Sequence, residues 1–165
     1  MSTSYSVPIE AFYHRIEKDR DFFNYFNLSD TEAMTLAKER SLAYMDEALV
    51  RIALECHPSV DFTNRDDTSE VFNFDLNKNE IMLISSLMYQ SHLEREIAYF
   101  KTLNVNYTPT DLRVFDPSNA RSSFLDMYKL VCEQNESLMD KYKSTDRTTG
   151  TYKTINFDSY DDDNE

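Results

Sequence analysis

Apolar residues return every three to four positions along four stretches of this chain, which is the spacing of helices with one buried face. The longest, 77–103, has no Pro or Gly inside it and is long enough to cross a small domain as one helix of roughly 40 Å. Asn77 with Glu80 supplies its start signal. One apolar stripe runs through Met82, Tyr89, Leu93, Ile97, Phe100 and Leu103, and a shorter one through Ile81, Ile84 and Met88. Two stripes merging into one predict an N-terminal half surrounded by other helices and a far end apolar on one side only.

The other three stretches flank it. Pro8 suits a first helical turn, and Ile9, Phe12, Ile16, Phe23 and Phe26 follow at helical spacing, with Arg20 interrupting, so a helix is predicted over 8–26. Its end places Phe22, Phe23, Tyr25 and Phe26 on several sides, as a packed helix end or a subunit contact. Ser29 and Glu32 form a capping box opening a helix over 30–56, and Pro58 stops it. A last helix spans 117–143, with Phe124, Met127, Tyr128, Val131, Leu138, Met139 and Tyr142 on its core side.

Two segments break the helical period. In 58–76, Val60 and Phe62 alternate with polar neighbours before a polar turn leads to Val71, Phe72 and Phe74. Two short strands or a projecting loop both fit, and the segment either makes an interaction or folds over the core. Beyond Lys143, residues 144–150 are turn-like, 151–157 strand-like, and 158–165 carry five acids and no base. Tyr152, Ile155 and Phe157 are costly to leave in water, so this arm is expected to dock on its own body or on a neighbouring subunit by strand addition. The resulting division is a helical domain over 1–143 and an extended arm over 144–165 with a frayed acidic tip. Val60, Phe62, Val71, Phe72, Phe74, Tyr152, Ile155 and Phe157 are the candidate protein–protein contacts.

Composition narrows this to a mainly α, four-helix domain with a long central helix. One Gly and four Pro among 165 residues leave little material for tight hairpins or phosphate-cradling loops. The net charge of −13 opposes general binding to nucleic acid or anionic membranes; it serves solubility, an acidic wall facing DNA, or docking to a basic partner. The N-terminus has neither the basic nor the apolar part of a secretory signal, and no run of about 18 apolar residues marks a membrane span. Cys56 and Cys132 read as buried free thiols in a reducing compartment.

Chemistry is sparse. The positions three before His14, His57 and His92 are Ala11, Leu54 and Tyr89, so the Glu-x-x-His of carboxylate-bridged metal bundles is absent. His14 lies one turn from Glu10, as in an exposed ion pair, and His57 sits at a helix end with Glu55 in a capping role. A calcium loop from Asp75 fails at its sixth position, Glu80, and its twelfth, Ser86. The basic residues Arg15, Lys18 and Arg20 alternate with acids, as on a solvated face. No catalytic residue, metal site or cofactor is expected.

Two helices, an excursion, a long central helix, a fourth helix opened by Asp116-Pro-Ser-Asn-Ala-Arg-Ser-Ser-Phe124, and a Lys/Thr/Tyr-rich extended tail resemble the head–tail connector (adaptor) proteins of tailed bacteriophages. The resemblance covers most of the chain and is architectural, so it transfers no site residue. It implies a non-enzymatic virion component of the phage neck, made in the host cytoplasm. Its expected partners are further copies in a homo-oligomeric ring, the portal protein above and a neck or tail protein below, with DNA passing through unrecognised. An acidic helical binding protein, including a DNA-mimic inhibitor of a basic partner, is the alternative.

Overall fold

The computed structural model describes residues 2–17, 20–23, 28–106 and 117–154. The architecture is mainly α, with a small antiparallel sheet. In chain order it runs β1 (Thr3–Ser4), α1 (Ser6–Arg15), the one-turn α2 (Arg20–Phe23), α3 (Asp30–Cys56), β2 (Arg65–Asp66), β3 (Val71–Phe72), α4 (Lys78–Asn106) and α5 (Pro117–Ser144).

Local signals set the long helices. Ser29 accepts from the Glu32 amide while the Glu32 carboxylate accepts from the Ser29 amide at 2.9 Å, so α3 begins on a complete capping box. It ends at Cys56 with His57 in the left-handed region, one residue before Pro58. Asn77 and Glu80 repeat the reciprocal cap on α4, at 2.8 and 2.9 Å.

α4 is the centre of the molecule, packing against α1, α3 and α5. From Leu83 to Leu93 only Tyr89 is not fully buried, whereas the next turn and a half is half-buried or exposed. The core line runs through Leu83, Ile84, Leu87 and Met88. Met82, expected inside, is 43% exposed, because a helix apolar on two sides can turn either outward and its neighbours choose. Phe100 and Leu103 have no described side chains. On α5, Val131 and Met139 are buried as expected, but Met127 is exposed and Asn135 is buried in its place.

The first helix departs from its predicted 8–26 span. It stops at Arg15, and the Ile16 amide bonds both Phe12 and Tyr13 carbonyls in a tightened last turn. The break lets two adjacent aromatics both reach the core. Phe22 meets Phe12 edge-on at 5.6 Å, and Phe23 meets Tyr13 at 5.2 Å. One straight helix would have pointed them about 100° apart. Tyr25 and Phe26 lie outside the described residues.

The 58–76 excursion is a hairpin laid on the core, and its first strand is Arg65–Asp66, downstream of Val60 and Phe62. The unforeseen β1 completes the sheet in the order β1-β3-β2, with Thr3 opposite Phe72 and Arg65 opposite Phe72 on the other side. Phe74 meets Phe62 edge-on at 5.6 Å and Phe72 at a tilt at 5.7 Å, with Tyr5 against Phe72 at 4.9 Å. The Leu76 amide donates to the Thr3 hydroxyl, so the N-terminus pins the excursion down.

Candidate assembly surface

Where α4 begins and α5 ends, three parts of the chain meet on one carboxylate. Glu80 is 0% exposed. One of its oxygens accepts from the Asn77 amide and, at 3.2 Å, from Arg147 Nη2. The other accepts from the Tyr142 hydroxyl at 3.0 Å and Arg147 Nε at 2.6 Å. Arg147 Nη2 also donates to the Asp75 carbonyl, and the guanidinium lies 5.8 Å over the Phe74 ring. Because both charges are hydrogen-bonded on more than one atom, the pair is satisfied although Glu80 is buried and Arg147 half-buried. Glu80's hydrogen bond holds Arg147 above its ordinary range, and burial, with Glu80 beside it, pushes the Tyr142 hydroxyl up.

This ion pair roots the C-terminal arm. Between Ser144 and Lys153 the chain reverses. Thr145 pairs antiparallel with Tyr152, and the Asp146 and Lys153 amides donate to Thr151 and Ser144 at 2.7 Å. The Asp146 carboxylate accepts from the Thr148 and Thr149 amides, and the chain's one glycine, Gly150, takes the left-handed position at φ +70°. Those hydrogen bonds hold the Asp146 carboxyl below its ordinary value.

A cleft of about 420 Å³ opens beside the reversal, lined by Met82, Leu138, Lys141, Arg147 and Tyr152 among others. It continues along the α4/α5 groove to a shallower depression that shares Met82 and Leu138 and adds Arg15 and Leu130. Met82 and Leu130 (53%) are exposed there, and Tyr152 is 70% exposed. Under the same groove a buried polar seam ties the two helices. Asn135 accepts from Ser86 Oγ at 2.5 Å and donates to Gln90 at 2.8 Å; Gln90 leads to Glu94, which Tyr128 and Arg51 also reach. A second apolar exposure lies on α3, where Val50 (58%) and Leu54 (70%) stand one turn apart.

The expected contact residues divide. Phe62 and Phe72 are buried in the chain's own core and are occupied there; Val60, Val71 and Phe74 are half-buried beside them. Tyr152 stands on the surface, and Ile155 and Phe157 lie outside the described residues. Thr151 and Tyr152 enter the reversal through the single Thr145–Tyr152 bridge. In the sequence Glu80 reads as a helix cap and a failed calcium-loop position, and Arg147, whose partner is 67 positions away, gives no signal. No local pattern signals such a pair.

Among the described residues no group of three or more His, Cys, Asp or Glu is placed to hold a metal ion, and no helix is long and apolar enough to cross a membrane. His14 and His57 are exposed, and His92 is buried against Phe12, Phe22 and Tyr44. Cys56 is a buried free thiol, raised by that burial, while Cys132 is only half-buried. Comparisons with family models, curated proteins and solved structures return no match.

Proposed function

We propose that the chain is a structural subunit of a phage head–tail connector ring, docking below the portal and lining part of the DNA path. The observation that carries this reading is the presence of two separate apolar exposures on one acidic helical body, Val50–Leu54 on α3 and Met82–Leu130 beside the rooted arm. A closed ring is built from heterologous contacts, in which each subunit offers two different patches to its two neighbours. The net charge of −13 suits a channel wall that repels phosphate and lets a duplex slide. Glu32 and Glu39, exposed and seven residues apart on one stripe of α3, are of the kind such a wall needs, whereas Asp46 further along is paired with Arg65 at 2.7 Å. No catalysis is assigned.

The test is to replace both α3 residues, Val50→Asp and Leu54→Asp, and to sediment the chain with portal rings encoded in the same genome. Neither side chain is in the core, so the helical circular dichroism is expected to stay within error of the parent. Because subunits gathered below the portal hold one another through this face, co-sedimentation with the portal is expected to fall at least tenfold. Unchanged co-sedimentation removes α3 from the interface.

A further inference from the structure

Two apolar exposures on one chain can each meet their like across a two-fold axis, or each can take the other. We propose that the Val50–Leu54 ridge of one copy seats in the α4/α5 groove of the next copy, with Val50 and Leu54 against Met82, Leu130 and Leu138. Resting on the ring reading, this pairing gives each of the ring's two patches the other as its partner.

The two surfaces are opposite in form. Val50 lines the depression toward the excursion and also the one toward α4, so it stands between them, 58% exposed, with Leu54 70% exposed one turn on. The groove is concave where the ridge is convex. Met82 and Leu138 line both of its parts, and the small side chains of Ser86 and Ser137 leave room between them. Val50 to Leu54 rises about 6 Å along α3, and Leu130 to Leu138 about 12 Å along α5, so the ridge fits within the apolar length of the groove.

Charge decides between the two arrangements. The depressions beside Val50 are lined by five acids, Asp46, Glu47, Asp61, Asp67 and Glu94, and by three arginines. Each arginine is already bridged, Arg51 to Glu94, Arg65 to Asp46 and Asp67, and Arg95 to Glu47. Five acids against three arginines leave two negative charges on the lining, and the exposed Glu55 next to Leu54 adds a third.

Around the groove the balance has the other sign. Its lining holds Arg15, Lys141 and Arg147 against Glu133 and Asp146. Arg147 is bonded to the buried Glu80, with Asp75 close by, and Lys153 lies near Asp146. Lys78 adjoins Asn77 and Asn79, which line the cleft. These five cations against four acids leave one positive charge, on a chain whose net charge is −13. Ridge on ridge sets acids against acids, and groove on groove sets cations against cations. Ridge in groove brings opposite signs together.

The test uses full-length chains that each lack one surface. Val50→Asp with Leu54→Asp removes the ridge, and Met82→Asp with Leu130→Asp removes the groove. All four side chains are exposed, so helical circular dichroism is expected to match the parent. In sedimentation velocity each variant alone is expected to stay monomeric, and an equimolar mixture to form a one-to-one pair that grows no further. A mixture that stays monomeric overturns the proposal. So does either variant associating alone, which assigns its remaining face to its like or to another part of the chain. In the mixture, Lys141→Glu placed in the chain that supplies the groove should raise the Kd about fivefold, and the same change in the chain that supplies the ridge should leave it unaltered. Equal effects in the two chains overturn the proposal as well. No portal is present, so a failed mixture removes this pairing and leaves the ring reading to its own test. A mixture that pairs while portals stay bare removes the docking alone.

Discussion

Glu80 has two duties that a single side chain seldom combines. It caps α4 through the Asn77 amide and receives Arg147 from the arm, while being wholly buried. Removing the arginine therefore leaves a carboxylate with only Tyr142 and a backbone amide for company in a dry site. Arg147→Ala should destabilise the fold by about 2–3 kcal/mol in urea titrations. Adding Glu80→Gln should recover part of that loss, because no uncompensated charge then remains; equal stability of the single variant and its parent means the pair contributes nothing. Asp146 gives a pH prediction of known sign. Its folded-state pKa is depressed by the Thr148 and Thr149 hydrogen bonds, so its contribution is fully present above the ordinary carboxylate value of 3.8 and is lost as the pH falls through the folded value below it. Amide exchange at Thr148 and Thr149 should accordingly quicken only below pH 3.8, beyond the intrinsic pH trend, and Thr149→Val should move the onset upward.

At the scale of elements, the α4/α5 pairing depends on a polar seam as well as on apolar packing. Asn135→Ala strands the Ser86 hydroxyl and the Gln90 Oε1 in a buried interface and should cost about 2–3 kcal/mol. Asn135→Leu with Ser86→Ala, which removes the partners together, should cost less than the sum of its parts in a double-mutant cycle; strict additivity means that the two residues do not interact. What the sequence disclosed and what it hid follow the range of the forces involved. The bounds of α3 and the start of α4 were legible because Ser29–Glu32, Asn77–Glu80 and Pro58 act within three residues. The break at Ile16 was not, because it is set by Phe22 reaching Phe12 and Tyr44 across the core. β1 has two residues, too few to show a period, and is a strand only because Phe72 is beside it. The arm was legible as an arm through its change of composition. Its root was hidden, since Arg147 sits in a polar stretch like any other surface arginine.

For the whole molecule, the proposed ring subunit combines an acidic helical body, two apolar exposures and a rooted arm. Of the two readings of the excursion at 58–76, folding over the core holds for Phe62 and Phe72, which serve the chain's own core. In the proposed ring the contacts fall to the exposed Val50–Leu54 face of α3 and to the α4/α5 groove. The rival reading, an acidic decoy for a basic partner, shares the charge and predicts a lone subunit. The two separate most directly when the purified full-length chain is mixed with portal rings encoded in the same genome and the particles are imaged by electron microscopy. The expected result is an additional ring of density below the portal with the portal's axis open through it. A chain that stays monomeric, leaves the portal bare and displaces DNA from a basic protein contradicts it.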